Sequence, residues 1–223
     1  MPNYSAMDII GPKMVGPSSS HTAGAARIGH IAYILAAGQI RRVRFHLHGS
    51  FARTYRGHGT DRALMAGLLG MQPHDERLKD SLEIARDKGL EFQFLEIQLQ
   101  DVHPNTVRIE MDLYTGETLS VVGSSVGGGN IKIVEINGMQ LEFSGLFPTM
   151  ITRHVDGPGI VSKITRILAE HQINIAFMSV FRQNRGEEAM MVIETDNRLE
   201  ESLPQVIRGL VRQVQDVYVI NPF

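Results

Sequence analysis

The sequence predicts an α/β protein of the α+β kind in two domains, a mixed-sheet domain over residues 1–145 and a smaller one over residues 147–223. Three observations predict this. A chain of 223 residues suits two hydrophobic cores better than one. Its first part alternates stretches of helical period with stretches of period two. After Ser144-Gly145 the pattern restarts as strand, helix, strand, strand, helix, strand, and this βαββαβ order is the ferredoxin-like arrangement.

The elements follow in order. A Gly/Pro loop, GPKMVGPSSSHT, leads into AGAARIGHIAYILAAG, where Ile28, Ile31, Ile34 and Leu35 form one helical stripe and Gly38 ends it. From Arg42 to Leu47 the apolar Val43, Phe45 and Leu47 alternate inward as in a half-buried strand, which runs directly into HGSF. A second helix starts near Asp61 with Asp61 as its cap, and a third covers Asp75 to Lys88 before Gly89. Strands are expected over Glu91 to Leu99, Thr106 to Tyr114 and Glu117 to Val122. After the Gly127-Gly128-Gly129 run, Ile131 to Ile136 and Met139 to Phe143 flank an Asn137-Gly138 hairpin signal.

In the second domain, Phe147 to His154 reads as a strand and Asp156-Gly157-Pro158 as a helix start with Pro158 at an early position. Ile160, Val161, Ile164, Ile167 and Leu168 form the apolar face of that helix. Asn174 to Arg182 and Glu188 to Thr195 form a hairpin around Asn184-Arg185-Gly186. Leu203, Val206, Ile207, Leu210, Val211 and Val214 mark the second helix, and Val217 to Ile220 the last strand.

Composition narrows the function. A formal net charge of -2 gives no electrostatic reason to expect nucleic acid or an anionic membrane as a partner. No apolar run reaches the roughly eighteen residues of a membrane span, and MPNYSAMDII lacks the basic-then-apolar order of a signal peptide, so a cytoplasmic location is expected. Cysteine is absent, which removes disulfides, thiolate nucleophiles and a cysteine-ligated cluster held by this chain alone. The nine histidines match no helical zinc motif, so no metal site is expected within this chain.

Two clusters carry chemistry. Ser18, Ser19, Ser20, His21 and Thr22 place hydroxyls, an imidazole and free backbone donors ahead of a helix N-terminus, which suits a carboxylate with its amine or hydroxyl oriented alongside. Capping by serine or threonine explains one or two of these residues, not five with a histidine. In the second cluster, Gly57-His58-Gly59-Thr60-Asp61, the imidazole stands between glycines, open to proton transfer. The same residues also read as a turn with a solvated histidine. His46 and His48 alternate on one strand face and read as a solvated outer face.

Together the GPSSSHT loop, HGSFARTYRGHGTD and the VGGG run resemble the beta chain of the iron-sulfur L-serine dehydratase family over nearly the whole first domain. The resemblance implies deamination of L-serine to pyruvate and ammonia without pyridoxal phosphate. His21 or His58 would be the acid or base, and Ser18, Ser19, Ser20, Thr22, Gly59, Thr60 and Asp61 would hold the substrate. It also implies a 4Fe-4S cluster, which a cysteine-containing alpha subunit must supply. VDGPGIVSKITRILAEHQINIAFMSV resembles the ACT family, which implies pairing of these domains and a small amino-acid ligand near Asp156, Gly157, Gly159 and Asn174. On residues alone, the two glycines also read as a plain turn and Asn174 as a helix stop. Two rival functions stand beside the enzyme: a non-catalytic amino-acid sensor, since related domains serve as allosteric modules in phosphoglycerate dehydrogenases, and a structural oligomer without ligand.

Overall fold

The computed structural model describes residues 13–16 and 18–222; Gly11, Pro12 and Pro17 of the expected loop lie outside the described residues. The chain divides into two compact units, Met1–Gly138 and Met139–Phe223. The division falls in the Asn137-Gly138 turn, one strand before Ser144-Gly145.

In the first unit a single turn of π-helix, Ser19–Gly24, runs into helix α1, Ala25–Leu35. Strand β1, Ile40–His48, leads at once into α2, Gly49–His58, and Gly59 separates α2 from α3, Thr60–Leu68. A 3-10 turn, Glu76–Asp80, and α4, Ser81–Asp87, precede β2, Glu91–Ile97. Then come β3, Thr106–Leu113, β4, Thr118–Gly127, and β5, Asn130–Ile136; β6, Met139–Phe143, is the first strand of the second unit. Within this unit the sheet order is β2-β1-β3-β4-β5, with β1 parallel to β2 and antiparallel to β3.

Period-two patterning explains the sheet's inner face. Val43, Phe45 and Leu47 of β1 and Val107, Ile109 and Met111 of β3 are fully buried. Each such side chain stabilises the fold by about 1.5 to 3 kcal/mol relative to exposure. On the other face Arg44, half-buried, reaches Asp112 at 3.1 Å, and His46 Nε2 lies 3.0 Å from a Glu110 oxygen.

In the second unit β7, Thr149–Val155, α5, Ile160–Glu170, β8, Ile175–Arg182, β9, Glu188–Thr195, α6, Leu203–Leu210, and β10, Val214–Ile220, give the ferredoxin-like order β10-β7-β9-β8. Ile160, Ile164, Ile167 and Leu168 of α5 and Leu203 and Ile207 of α6 pack on Met150, Met191 and Ile193. Strand β8 is an edge and leaves Phe177, Met178 and Val180 exposed.

Several expectations are corrected. HGSF opens a helix, because Ser50 N–H bonds Pro104 O at 2.8 Å and the buried Phe51 and Ala52 anchor its first turn. Asp61 is not a cap: Gly59 holds that position and its carbonyl accepts Ala63 N–H, while Asp61 Oδ1 accepts the adjacent Arg62 N–H. Pro158 lies before α5, which starts after Gly159. Val214 begins β10, since α6 ends at Leu210 and Val211 is its C-cap. His46 and His48 are half-buried, and His48 Nδ1 accepts Leu99 N–H at 3.1 Å, so neither is merely solvated.

Candidate functional site

Ser18 is extended (φ -140, ψ 124), and its Oγ accepts the backbone N–H of His21 at 3.3 Å while its carbonyl accepts Thr22 N–H at 2.8 Å. This capping starts the π-turn, a wide turn frequent at functional sites. It lifts His21 toward the start of α2.

His21 is half-buried, with a serine hydroxyl at each ring nitrogen: Ser18 Oγ is 3.3 Å from Nδ1, and Ser50 Oγ is 3.3 Å from Nε2. Its ring meets Phe51 edge-on at 5.4 Å and His58 edge-on at 4.8 Å between centroids. Burial pushes the imidazole pKa below its ordinary value, and His58 beside it pushes the same way. At neutral pH His21 is therefore an uncharged imidazole, able to accept a proton.

His58, the last residue of α2, is exposed. Gly59 turns the chain with φ 70, and Thr60 and Asp61 open α3. Thr60 and Thr22 are buried, and neither hydroxyl has a partner among the described residues. Burial raises the pKa of Asp61, against the opposing pull of Arg62. Gly16, Thr22, Arg56, His58, Gly59 and Arg62 line part of an open cleft of about 210 Å³. The structure thus brings Ser18, His21 and His58 together and places Thr22, His58 and Gly59 on one cleft. Ser19 and Ser20 are half-buried on the π-turn, outside that lining.

Sequence reasoning missed Ser50, Arg56 and Arg62. For Ser50 the available signal was its place directly after β1, where HGSF leaves the sheet. For the arginines it was their spacing around His58.

In the second unit the four expected ligand residues separate. Asp156 Oδ2 accepts Arg182 Nη1 at 2.7 Å and Gly186 N–H at 3.0 Å, and these bonds, the Gly186 one first, hold its carboxyl below the usual carboxylate range. It is tied to the β8-β9 hairpin, beside the exposed Gly157 and Gly159. Asn174 Nδ2 donates to Asp196 at 2.5 Å, beyond the other end of β9. Val155 pairs with Glu188 and Ile175 with Thr195, so the two groups lie about 23 Å apart along the strand. Within one copy they do not share a site.

The chain has no cysteine, and among the described residues no group of three or more His, Asp or Glu side chains could hold a metal ion. Its own residues therefore do not fit an iron-sulfur cluster. Among the described residues no helix is long and apolar enough to cross a membrane.

Residues 5–86 match the family described as Serine dehydratase beta chain, and residues 149–210 the ACT domain. The chain is 42% identical to the "L-serine dehydratase, beta chain" of Peptoniphilus asaccharolyticus, over 98% of this chain and 99% of that one. It is 42% identical to the "Probable L-serine dehydratase, beta chain" of Bacillus subtilis (strain 168), over 95% and 96%. A "D-3-phosphoglycerate dehydrogenase" of the same Bacillus strain is 26% identical, over 80% of this chain and 34% of that one.

Proposed function

The chain belongs to the L-serine dehydratase beta-chain family, and from that premise we propose that it is the beta subunit of an enzyme that deaminates L-serine to pyruvate and ammonia in the cytoplasm. Residues 1–145 form its substrate-loop domain and residues 147–223 its ACT regulatory domain. The observation that carries this reading is the pair of imidazoles, His21 and His58, 4.8 Å apart, with His21 held between two hydroxyls. Two such groups suit a reaction that takes a proton from carbon and gives one to a departing hydroxyl.

In this reading the uncharged imidazole of His21 accepts the α-proton of serine, and His58, exposed at the cleft, is the proton donor to the hydroxyl that leaves as water. The aminoacrylate becomes an imine, and water converts it to pyruvate and ammonia. Ser18, Ser19, Ser20 and Thr22 of the π-turn, with Gly59, Thr60 and Asp61, hold the carboxylate and amine. No pyridoxal phosphate takes part. The family's 4Fe-4S cluster belongs to a cysteine-containing alpha subunit, because this chain has no cysteine to ligate it.

The ACT domain self-associates through the β8 edge and binds a small amino acid near Asp156, Gly157, Gly159 and Asn174. The separation of Asn174 from the glycine turn supports a ligand site assembled from two copies. A second reading, a non-catalytic amino-acid-sensing subunit, is favoured by one observation: a similar segment forms about a third of a protein named for a different reaction.

Anaerobic preparation of the chain with and without a cysteine-containing partner separates the two. Pyruvate should form from L-serine only with the pair. Turnover by this chain alone after metal removal, or an inactive pair carrying an intact cluster, overturns the enzyme reading.

A further inference from the structure

The geometry points to Ser50 as the residue that fixes the ring plane and tautomer of His21, a positioning role which rests, for its effect on turnover, on the proposed reading of His21 as base. Three observations support it. The first is the placement of the serine itself. Ser50 N–H donates to Pro104 O at 2.8 Å, and Ser50 O accepts Thr54 Oγ1 at 2.8 Å. Gly49 before it takes φ 57, and a Cβ there would lie 2.6 Å from Pro104 O, so glycine lets the chain turn tightly from β1 into α2. The backbone that carries the hydroxyl is thereby held on a half-buried turn.

The second is hydrogen-bond accounting. A neutral imidazole has one N–H and one lone pair in the ring plane. Ser18 Oγ gives one of its two lone pairs to the backbone N–H of His21, and in this assignment its single hydrogen turns to Nδ1. With Nδ1 accepting, the ring proton sits on Nε2 and is donated to Ser50 Oγ. Removing Ser50 leaves Nε2–H without that acceptor, and the ring is then free to exchange tautomers.

The third is the packing around the ring. Phe51 and His58 both meet His21 edge-on, contacts that limit the ring's travel without choosing which nitrogen carries the proton. That choice falls to the two serines, one on each side. Ser18 lies in the loop already expected to hold substrate, whereas Ser50 comes from the far side of β1, 29 residues after His21 in the chain.

Two-bond 1H–15N spectra of the full 223-residue chain at pH 8 read the tautomer directly, with no partner subunit required. The wild type should show His21 as a single Nε2–H form, Ser50→Ala a mixture of both tautomers, and Ser50→Thr, which keeps the hydroxyl, the single form again. In the reconstituted pair, Ser50→Ala should lower kcat by roughly a hundredfold with KM within about twofold, the pattern of a misplaced base, and Ser50→Thr should restore most of it. An Nδ1–H form in the wild type, or an unchanged spectrum in Ser50→Ala, overturns the assignment. If the pair does not turn over serine, the enzyme reading fails while the spectra still decide the role of Ser50.

Discussion

Gly29 of α1 and Gly67 of α3 meet at the crossing of the two helices: a Cβ on Gly29 would lie 2.2 Å from Leu64 O, and one on Gly67 would lie 1.9 Å from Ala26 O. Backbone therefore rests on backbone, and the crossing fixes α1, which carries the π-turn, against α3, which carries Thr60 and Asp61. Two opposed glycines allow an approach that any side chain would prevent.

From that contact, Gly67→Ala should destabilise the chain by about 1 to 3 kcal/mol through overpacking, the helices having no flexible side chain to yield. Urea unfolding measures it. A change within about 0.5 kcal/mol, the range of an ordinary surface substitution, would show that the helices separate freely.

His30 follows Gly29 on α1, and burial pushes its pKa down to about 4 from an ordinary 6.5. The unfolded chain takes up a proton near pH 6.5 and the folded chain only near 4. Stability is thus complete above the unfolded value and is lost as pH falls from 6.5 toward 4, by on the order of 2 kcal/mol after allowance for partial exposure. His30→Gln should flatten the urea midpoint across that window. A wild-type midpoint that does not move between pH 7 and pH 4.5 contradicts it.

Asp156 tethers the β8-β9 hairpin through Arg182 and Gly186. Asp156→Ala should release the turn at Asn184-Arg185-Gly186 and speed tryptic cleavage after Arg185 several-fold while thermal unfolding changes little. Acid should mimic the variant, because the lowered carboxyl pKa preserves the tether above the ordinary carboxylate range and protonation removes it below. Equal cleavage rates in the two proteins would mean that the turn is held by other bonds.

How much of this was legible in the sequence depended on whether the signal was local. Val107, Ile109 and Met111 alternate, so β3 could be read from residues that all lie within it. The same holds for α5, whose apolar residues recur at helical spacing. GSFARTYRGH has only Phe51 and Ala52 buried, and two glycines besides, so α2 gave no apolar stripe to find. The serine-rich loop and His58 were legible as chemistry because hydroxyls and imidazoles crowd in short motifs. Ser50 was not, because its meaning comes from β1 bringing it to His21 across 29 residues, and no local pattern records that. Asp156 and Asn174 were grouped by motif, but the register of β9 separates them.

Phe177, 58% exposed, stands on an edge strand together with Met178 and Val180. An exposed apolar edge is a template for pairing with another strand. If the chain self-associates through this edge as proposed, Phe177→Lys should convert it to smaller species in sedimentation velocity, with an unchanged circular dichroism spectrum. An unaltered distribution would move self-association elsewhere.

On the proposed function, in which His58 transfers a proton and Ser19 holds substrate, the two should separate kinetically in the reconstituted pair. His58 is exposed, lines the cleft and meets His21 at 4.8 Å, so its loss removes a proton-transfer group and leaves the fold intact. Turnover should fall by roughly a hundredfold to ten-thousandfold in His58→Ala. Ser19 is half-buried on the π-turn and has no ring to carry a proton; its loss weakens substrate and transition state alike, which raises KM for L-serine and leaves kcat nearly unchanged. Cluster content must be measured in both variants, since a histidine that only steadied the proposed partner's cluster would lower activity by losing metal. If His58→Ala keeps normal kcat with a full cluster while His21→Ala loses it, proton transfer belongs to the serine-rich turn alone, and His58 acts only through its contact with the His21 ring.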